Sequence, residues 1–413
     1  MKKQLKRVFG VLSFILYKFP TLYFLIHKLI YFPAKLLDSK TLSKHVNKIN
    51  WLYNPLVMKH TKETKLYFSK TDKFDEYSLS LLKNIVNYYN SNYADTSGHW
   101  QQNISQDMKE LHSYLLKHKI DDLNTIYGNF FKQRELHGIS AADFYEPLPH
   151  RYLYLKEKIL HDIQSFSEFL AITNVDCPEQ SRITSSFHKN LSYIVNELES
   201  EIGFKISFPK CSGSFGLLVD DKLITNESLR HIYSCKRIKS IESLRNKGSI
   251  KILEIGAGYG GLCYYLSKSD YFDIAKYDII DLPIINTFQY YFLNKNLKKE
   301  INFYEDNKES VGVTIYPNTH LKNLKQDYDL IINHDSFPEM PIDAVVDYVQ
   351  FAGTCSGGIL HSFNHECNAY DRHDTTKQTD IKKIFLNNDS LELIQRERSW
   401  VREGYVEEIY KAK

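Results

Sequence analysis

The sequence predicts an α/β protein: a Rossmann-like sheet ending in a C-terminal antiparallel hairpin, preceded by a mainly helical N-terminal domain. Three observations predict it. Residues 250–261 read Ile-Lys-Ile-Leu-Glu-Ile-Gly-Ala-Gly-Tyr-Gly-Gly, an apolar run that breaks into a glycine-dense turn. Apolar strands then alternate with helical segments through most of the remaining chain, the pattern of a parallel sheet with crossover helices. Finally, 391–400 and 405–410 read as two strands joined by Arg402-Glu403-Gly404, a hairpin with a turn glycine.

The elements follow in order. The first strand ends at Glu254, and Leu262-Cys263-Tyr264-Tyr265-Leu266 begins a helix directly after the turn. Bare backbone at such a corner lets a ligand approach closely. Residues 275–281 form a second strand closed by the carboxylate of Asp281, and Leu282-Pro283 breaks it. Residues 284–296 have helical spacing with an aromatic face, and 310–316 are a short β-branched run. Tyr-Asp-Leu-Ile-Ile-Asn at 328–333 is a strand of the kind buried on both faces. A helix over 343–353 and a strand over 358–364 complete the series before the hairpin.

The turn fits two cofactor patterns. Gly256, Gly258 and Gly261 have the G-x-G-x-x-G spacing of dinucleotide sites, whereas Glu254, Gly256, Gly258 and Gly260 have the E-x-G-x-G spacing of S-adenosyl-L-methionine (SAM) methyltransferases. The acid two positions before the first glycine and the terminal hairpin favour SAM. Such an acid orients the turn or reaches the methionine ammonium. In either class Asp281 accepts hydrogen bonds from ribose hydroxyls. A nicotinamide enzyme is disfavoured further, because no Tyr-x-x-x-Lys pair follows at the expected place.

Leu-Glu-Ile-Gly-Ala-Gly-Tyr-Gly-Gly-Leu (253–262), Ile-Asp-Leu-Pro (280–283), Asn-His-Asp-Ser-Phe-Pro-Glu-Met (333–340), Gly-Ser-Phe-Gly (213–216) and Leu-Ile-Thr-Asn-Glu-Ser-Leu-Arg (223–230) together resemble the bacterial sugar O-methyltransferases, a class I SAM-dependent family. The resemblance spans about residues 200–370 and implies the class I methyltransferase sheet. It implies a SAM pocket lined by Glu254, Gly256, Ala257, Gly258 and Gly260, with Asp281 on the ribose and the Leu282 backbone near the adenine. Asn333 and His334 would flank the methionine portion. Transfer to a hydroxyl needs alignment and a proton acceptor. The candidates are His334, Asp335 and Glu339 in one loop and His361, His365 and Glu366 in another. Asp335 or His365 is the expected base, with Glu339 orienting the sugar. No metal is predicted: the histidines lack zinc spacing, although Asp335 and Glu339 would suit a divalent cation.

The 413 residues carry a formal net charge of +3 and are 43% hydrophobic, enough for two packed units and no support for a nucleic-acid partner. Six scattered cysteines match reduced, cytoplasmic thiols. Residues 1–37 lack acids but carry seven basic residues from Lys2 to Lys35 around apolar runs too short to span a bilayer. This segment is read as a basic amphipathic element on the inner face of a membrane. Three further segments are expected: a mainly helical domain over 38–200 (in which Trp100, Tyr145 and His150 are possible acceptor contacts), a connecting hairpin and helix over 201–245, and a SAM-binding domain over 246–413. The expected partners are a sugar or glycan acceptor and the membrane surface. The activity implied is methyl transfer to a surface polysaccharide or its lipid-linked precursor. The alternative is a catalytically inactive, methyltransferase-like binding protein in a glycan assembly complex.

Overall fold

The computed structural model describes residues 64–93, 108–132, 149–175, 189–306, 312–366 and 379–413. The expected membrane segment lies outside them, as do Trp100 and Tyr145. Before the glycine turn the chain forms β1 (Lys65–Phe68), α1 (Glu76–Asn92), α2 (Lys109–Leu116), α3 (Ile120–Tyr127), α4 (Pro149–Phe169), α5 (Leu191–Ile202), β2 (Phe215–Val219), β3 (Lys222–Ile224), α6 (Asn226–Ser240) and α7 (Glu242–Arg245). From the turn onward come β4 (Ile250–Ile255), α8 (Gly261–Lys268), β5 (Ile274–Asp281), α9 (Pro283–Asn296), β6 (Ile301–Phe303), β7 (Val313–Pro317), β8 (Leu330–His334), α10 (Ile342–Thr354), β9 (Ile359–His365), α11 (Ile381–Leu386), β10 (Leu391–Arg398) and β11 (Tyr405–Ala412).

Two compact units result, and both are discontinuous in sequence. One holds what is described of residues 1–68, 141–208 and 215–226, the other what is described of 69–140, 209–214 and 227–413. This division differs from the consecutive segments expected. The first unit is a small antiparallel sheet, β1-β2-β3, packed with α4 and α5. Its hairpin turns at Asp220-Asp221 as read from the sequence, with Val219 opposite Lys222. Helix α5 buries the predicted stripe of Leu191, Ile194, Val195 and Leu198.

The second unit carries the large sheet, in the order β10-β11-β9-β8-β4-β5-β7-β6. Strands β4 to β9 run parallel, and β11 is antiparallel to both β9 and β10. This is the Rossmann-like class with its terminal hairpin. The chain leaves β4 toward β5 on one side and later returns to place β8 on the other. The gap between β4 and β8 is therefore the topological switch point, where open α/β sheets take ligands at the carboxyl ends of their strands. Strand β6 was missed from the sequence because three residues show no periodicity.

Helix α9 explains why the described residues of 69–132 join this unit. Every residue from Pro283 to Leu293 is buried, so the helix has no solvent face. The sheet covers one side, and α1, with its buried Leu81, Leu82, Ile85, Val86 and Tyr89, packs on the other. Polar groups inside α9 meet partners across that contact. Asn286 donates to the Tyr88 hydroxyl at 2.6 Å and to the Tyr316 carbonyl at 2.9 Å, and Tyr127 donates to Thr287 at 2.5 Å.

Asn286→Leu keeps the branched outline of the side chain but leaves the Tyr88 hydroxyl and the Tyr316 carbonyl short of a donor. Urea denaturation should show a loss of about 2–4 kcal/mol, whereas a loss under about 0.5 kcal/mol would mean that the α1–α9 contact does not depend on this bond.

Candidate functional site

The site is built at the carboxyl ends of β4, β5, β8 and β9. After Ile255 the chain turns through Gly256, Gly258 and Gly260, all at positive φ (72°, 57° and 88°), a region that disfavours side chains. The three glycines serve different ends. A Cβ on Gly256 would lie 2.2 Å from the Ser336 hydroxyl oxygen, so this glycine lets the loop after β8 close on the turn. A Cβ on Gly260 would press on Leu293 of α9, so Gly260 packs the helix rather than facing a ligand. Gly258 alone has open space where a side chain would stand, with nothing within 4 Å. Among the glycines of the turn, it supplies the bare backbone that a cofactor could approach.

Asp281 closes β5 beside this turn. Its oxygens accept from the Leu282 N–H at 2.8 Å and from Gln289 Nε2 at 2.7 Å, and also from the N–H groups of Ala257 and Gly258. The carboxylate thus holds the turn to the strand end, at the place where a ribose hydroxyl would add a further donor. Burial pushes its pKa up to about 7 against those donors. Leu282 caps α9, ahead of a proline in the first turn. Glu254 lies beneath the turn and is only 4% exposed; its Oε2 accepts from the Tyr277 hydroxyl at 2.6 Å. Of the two roles open to it, this geometry fits orienting the turn and does not place the acid on a ligand surface. Burial raises its pKa to about 8, opposed by the Tyr277 bond.

Asn333 is fully buried. Its Nδ2 donates to the Ile255 carbonyl at 3.0 Å and to the Ser336 hydroxyl at 2.6 Å, while its Oδ1 accepts from Asn364 at 3.0 Å and the Phe337 N–H at 3.3 Å. With both ends engaged, it ties strands together and does not flank a ligand. Asp335, at φ 59°, accepts from the Tyr405 hydroxyl at 2.5 Å and pairs with Arg402 at 2.5 Å. Arg402 also stacks on the Tyr405 ring, 3.6 Å from its centroid. Both carboxylate oxygens of Asp335 are thus already engaged, one by Tyr405 and the other by Arg402. His365 lies edge-on to Tyr405 at 5.5 Å, so Asp335 and His365 do gather around one tyrosine. Glu339 ends the short helical turn Phe337–Glu339. Glu366 pairs with Arg396 at 2.8 Å. No group of three or more metal-ligating side chains occurs among the described residues.

His334 meets His361 at 2.9 Å, and His361 meets Glu407 at 2.8 Å. Arg237 of α6 reaches Glu407 through its Nε at 2.9 Å. Another α6 side chain, His231, covers the start of α8, where a Cβ on Gly261 would meet its Nε2 at 2.4 Å. Burial, then Arg230 and Arg402, lower the His231 pKa to about 3, so it stays neutral. Sequence reasoning missed Tyr405, Arg402 and Glu407. The one available signal was Glu407-Glu408 inside the apolar run 405–410, since charges in a buried strand call for partners.

No protein-family model matches the sequence, and no curated protein matches it. Solved structures with similar folds include a SAM-dependent methyltransferase from Leishmania major (15% identity over 45% of this chain and 71% of that one, TM-score 0.33). The magnesium protoporphyrin IX methyltransferase of Synechocystis PCC 6803 superposes with 13% identity over 45% and 84%, at a TM-score of 0.32. The N-methyltransferase NodS of Bradyrhizobium japonicum WM9 does so with 14% identity over 44% and 85%, at 0.31. The strand order itself, not these partial superpositions, defines the fold.

Gly258→Ala should cost about 1–2 kcal/mol, the penalty of a left-handed alanine. Gly256→Ala adds a collision with Ser336, so chemical denaturation should show a clearly larger loss, partly recovered in Gly256→Ala/Ser336→Gly. Equal losses would remove the close approach of the loop. Glu254 makes a second prediction. Folded, its carboxyl keeps its proton up to about pH 8, whereas unfolded it ionises in the ordinary range near about 4.3. The folded state then binds more protons between those values, and stability falls as pH rises through that window. Urea midpoints at pH 5 and pH 8 should differ less in Glu254→Gln than in the wild type.

Proposed function

We propose that this chain is a SAM-dependent methyltransferase that transfers a methyl group to a sugar hydroxyl of a surface polysaccharide or its lipid-linked precursor. One observation carries the reading. The open backbone at Gly258 stands beside Asp281 at the carboxyl ends of β4 and β5, next to the sheet's switch point. Backbone of Ala257 and Gly258 would receive the cofactor, Asp281 its ribose, and the Leu282 backbone its adenine. The cofactor supplies a methyl group activated on a sulfonium. The rest of the chemistry falls to the protein, which must hold the acceptor hydroxyl in line, exclude water and take one proton.

The acceptor side is read from the groups around Tyr405. An aromatic ring, the guanidinium of Arg402 and nearby His365 offer stacking and hydrogen bonding suited to a polyhydroxylated ring. The sugar assignment rests on the resemblance of residues 333–340 and 280–283 to the sugar O-methyltransferases. The basic, acid-free residues 1–37 support a peripheral location on the inner membrane face, where lipid-linked glycans are met. No described helix is long and apolar enough to cross a membrane.

Titration calorimetry should show SAM binding by the wild type and no comparable binding of a nicotinamide dinucleotide. Gly258→Arg, which fills the open space, should weaken SAM binding by at least about tenfold, equivalent to about 1.4 kcal/mol. Preference for the dinucleotide, or unchanged SAM binding in Gly258→Arg, would contradict the reading. Mass spectrometry of surface glycans from cells with and without the protein addresses the acceptor: the deletion should remove one methyl group from a repeat unit.

A further inference from the structure

Side chains distant in sequence form an unbroken hydrogen-bonded chain from the carboxyl end of β8 toward α6. Nε2 of His334 lies 2.9 Å from Nδ1 of His361, and Nε2 of His361 lies 2.8 Å from Oε1 of Glu407. Glu407, 1% exposed, also receives Arg237 Nε at 2.9 and 3.0 Å and the Tyr233 hydroxyl at 3.4 Å. His361 is equally buried, while His334 at the outer end is partly open.

Proton positions follow from the inner end. Burial opposes ionisation of Glu407, but the hydrogen bond from His361 and the charge of Arg237 help hold the carboxyl below its ordinary range. An ionised carboxylate only accepts, so His361 donates from Nε2, and in its neutral form carries its lone pair at Nδ1. His334 must then donate from Nε2, which leaves its Nδ1 lone pair bare. Among the described residues that nitrogen makes no hydrogen bond. Burying two imidazoles and an ion pair is costly where aliphatic side chains would pack, and the chain's open end lies at the carboxyl end of β8, on the side of the sheet where the ligand is expected.

We infer that His334 is the proton acceptor in the transfer, positioned by His361 and Glu407. This inference rests on the reading above and moves the base from Asp335 and His365 to their neighbour. In the reaction the acceptor oxygen bonds to the methyl carbon, and the carbon–sulfur bond breaks with its electron pair left on sulfur. The hydroxyl proton passes to Nδ1 of His334. The imidazolium formed is stabilised by Glu407 through His361 and later yields its proton to water. His334 faces His361 and Phe363 from β9, His231 from α6, and Arg402 from the turn between β10 and β11. Asp335 adjoins it in sequence and Tyr405 lies beyond. Burial first, then His361, His231 and Arg402, hold its pKa well below the histidine range. His334 is therefore neutral, and able to accept a proton, even in mildly acidic solution. A weak base suffices because the sulfonium leaving group needs no free alkoxide.

Long-range proton–nitrogen NMR on histidine-labelled protein tests the arrangement without any acceptor. The wild type should show His334 protonated at Nε2 and bare at Nδ1, with no titration near about 6.5. Glu407→Gln, whose amide can donate to His361, should reverse both tautomers. A proton on Nδ1 of wild-type His334, or ordinary titration, overturns the inference. In turnover, labelled SAM and a pool of methyl glycosides serve as probes. His334→Gln should lower kcat by about 100- to 10,000-fold with SAM affinity unchanged. Glu407→Gln should lower kcat more than KM and alter the acid limb of the pH profile. Retention of kcat within about threefold in His334→Gln rules out the base. A wild type that binds no SAM defeats the functional reading, whereas SAM binding with the opposite tautomer defeats only this inference.

Discussion

The amide of Asn333 is the constraint on which the rest of the site depends. It is buried at the end of β8, where it satisfies the carbonyl of Ile255, the hydroxyl of Ser336, the amide of Asn364 and the N–H of Phe337. Those partners belong to β4, to β9 and to the loop after β8. One side chain thus fixes three chain segments at the switch point. Because a buried amide left partly unpaired costs about 1–3 kcal/mol per group, the arrangement admits little slack. Its neighbours inherit their positions: Ser336 closes on Gly256, His334 meets His361, and Asp335 reaches Arg402 and Tyr405.

On the other side of β4 the same logic runs through carboxylates. Asp281 holds the glycine turn by its N–H groups, and Glu254 sits below the turn against Tyr277. Both acids are pushed upward in pKa by burial, so the turn rests on groups that ionise only with difficulty. A cationic ligand arriving beside Asp281 would favour its ionisation. Sheet order, turn and acids together give a pocket edge fixed before any ligand arrives, which lowers the ordering cost of binding.

The parts of the fold legible in the sequence were those with strong local patterns. The run 250–255 and the glycines after it announced β4 and its turn, and Tyr-Val-Glu-Glu-Ile-Tyr announced the last strand. Strand β6 was too short to register, and the joining of the described residues of 69–132 to the sheet unit was hidden. It depends on α9 being buried all round and on Asn286 finding Tyr88, a partner 198 positions away. The candidate site divides in the same way. Gly258 and Asp281 stand where strand-end reasoning put them. Glu254, Gly260 and Asn333 turn out to be buried supports, a distinction that spacing alone does not make. Glu407 was invisible because His361 is 46 positions away and Arg237 is 170.

Whether the corner after β4 receives SAM is decided by a crystal structure of the protein grown with SAM or its demethylated product. The ligand should lie at the carboxyl ends of β4 and β5, its ribose on Asp281 and its backbone contacts at Ala257 and Gly258. A ligand bound elsewhere on the chain, or saturating SAM that leaves the Gly258 corner empty, would contradict that placement.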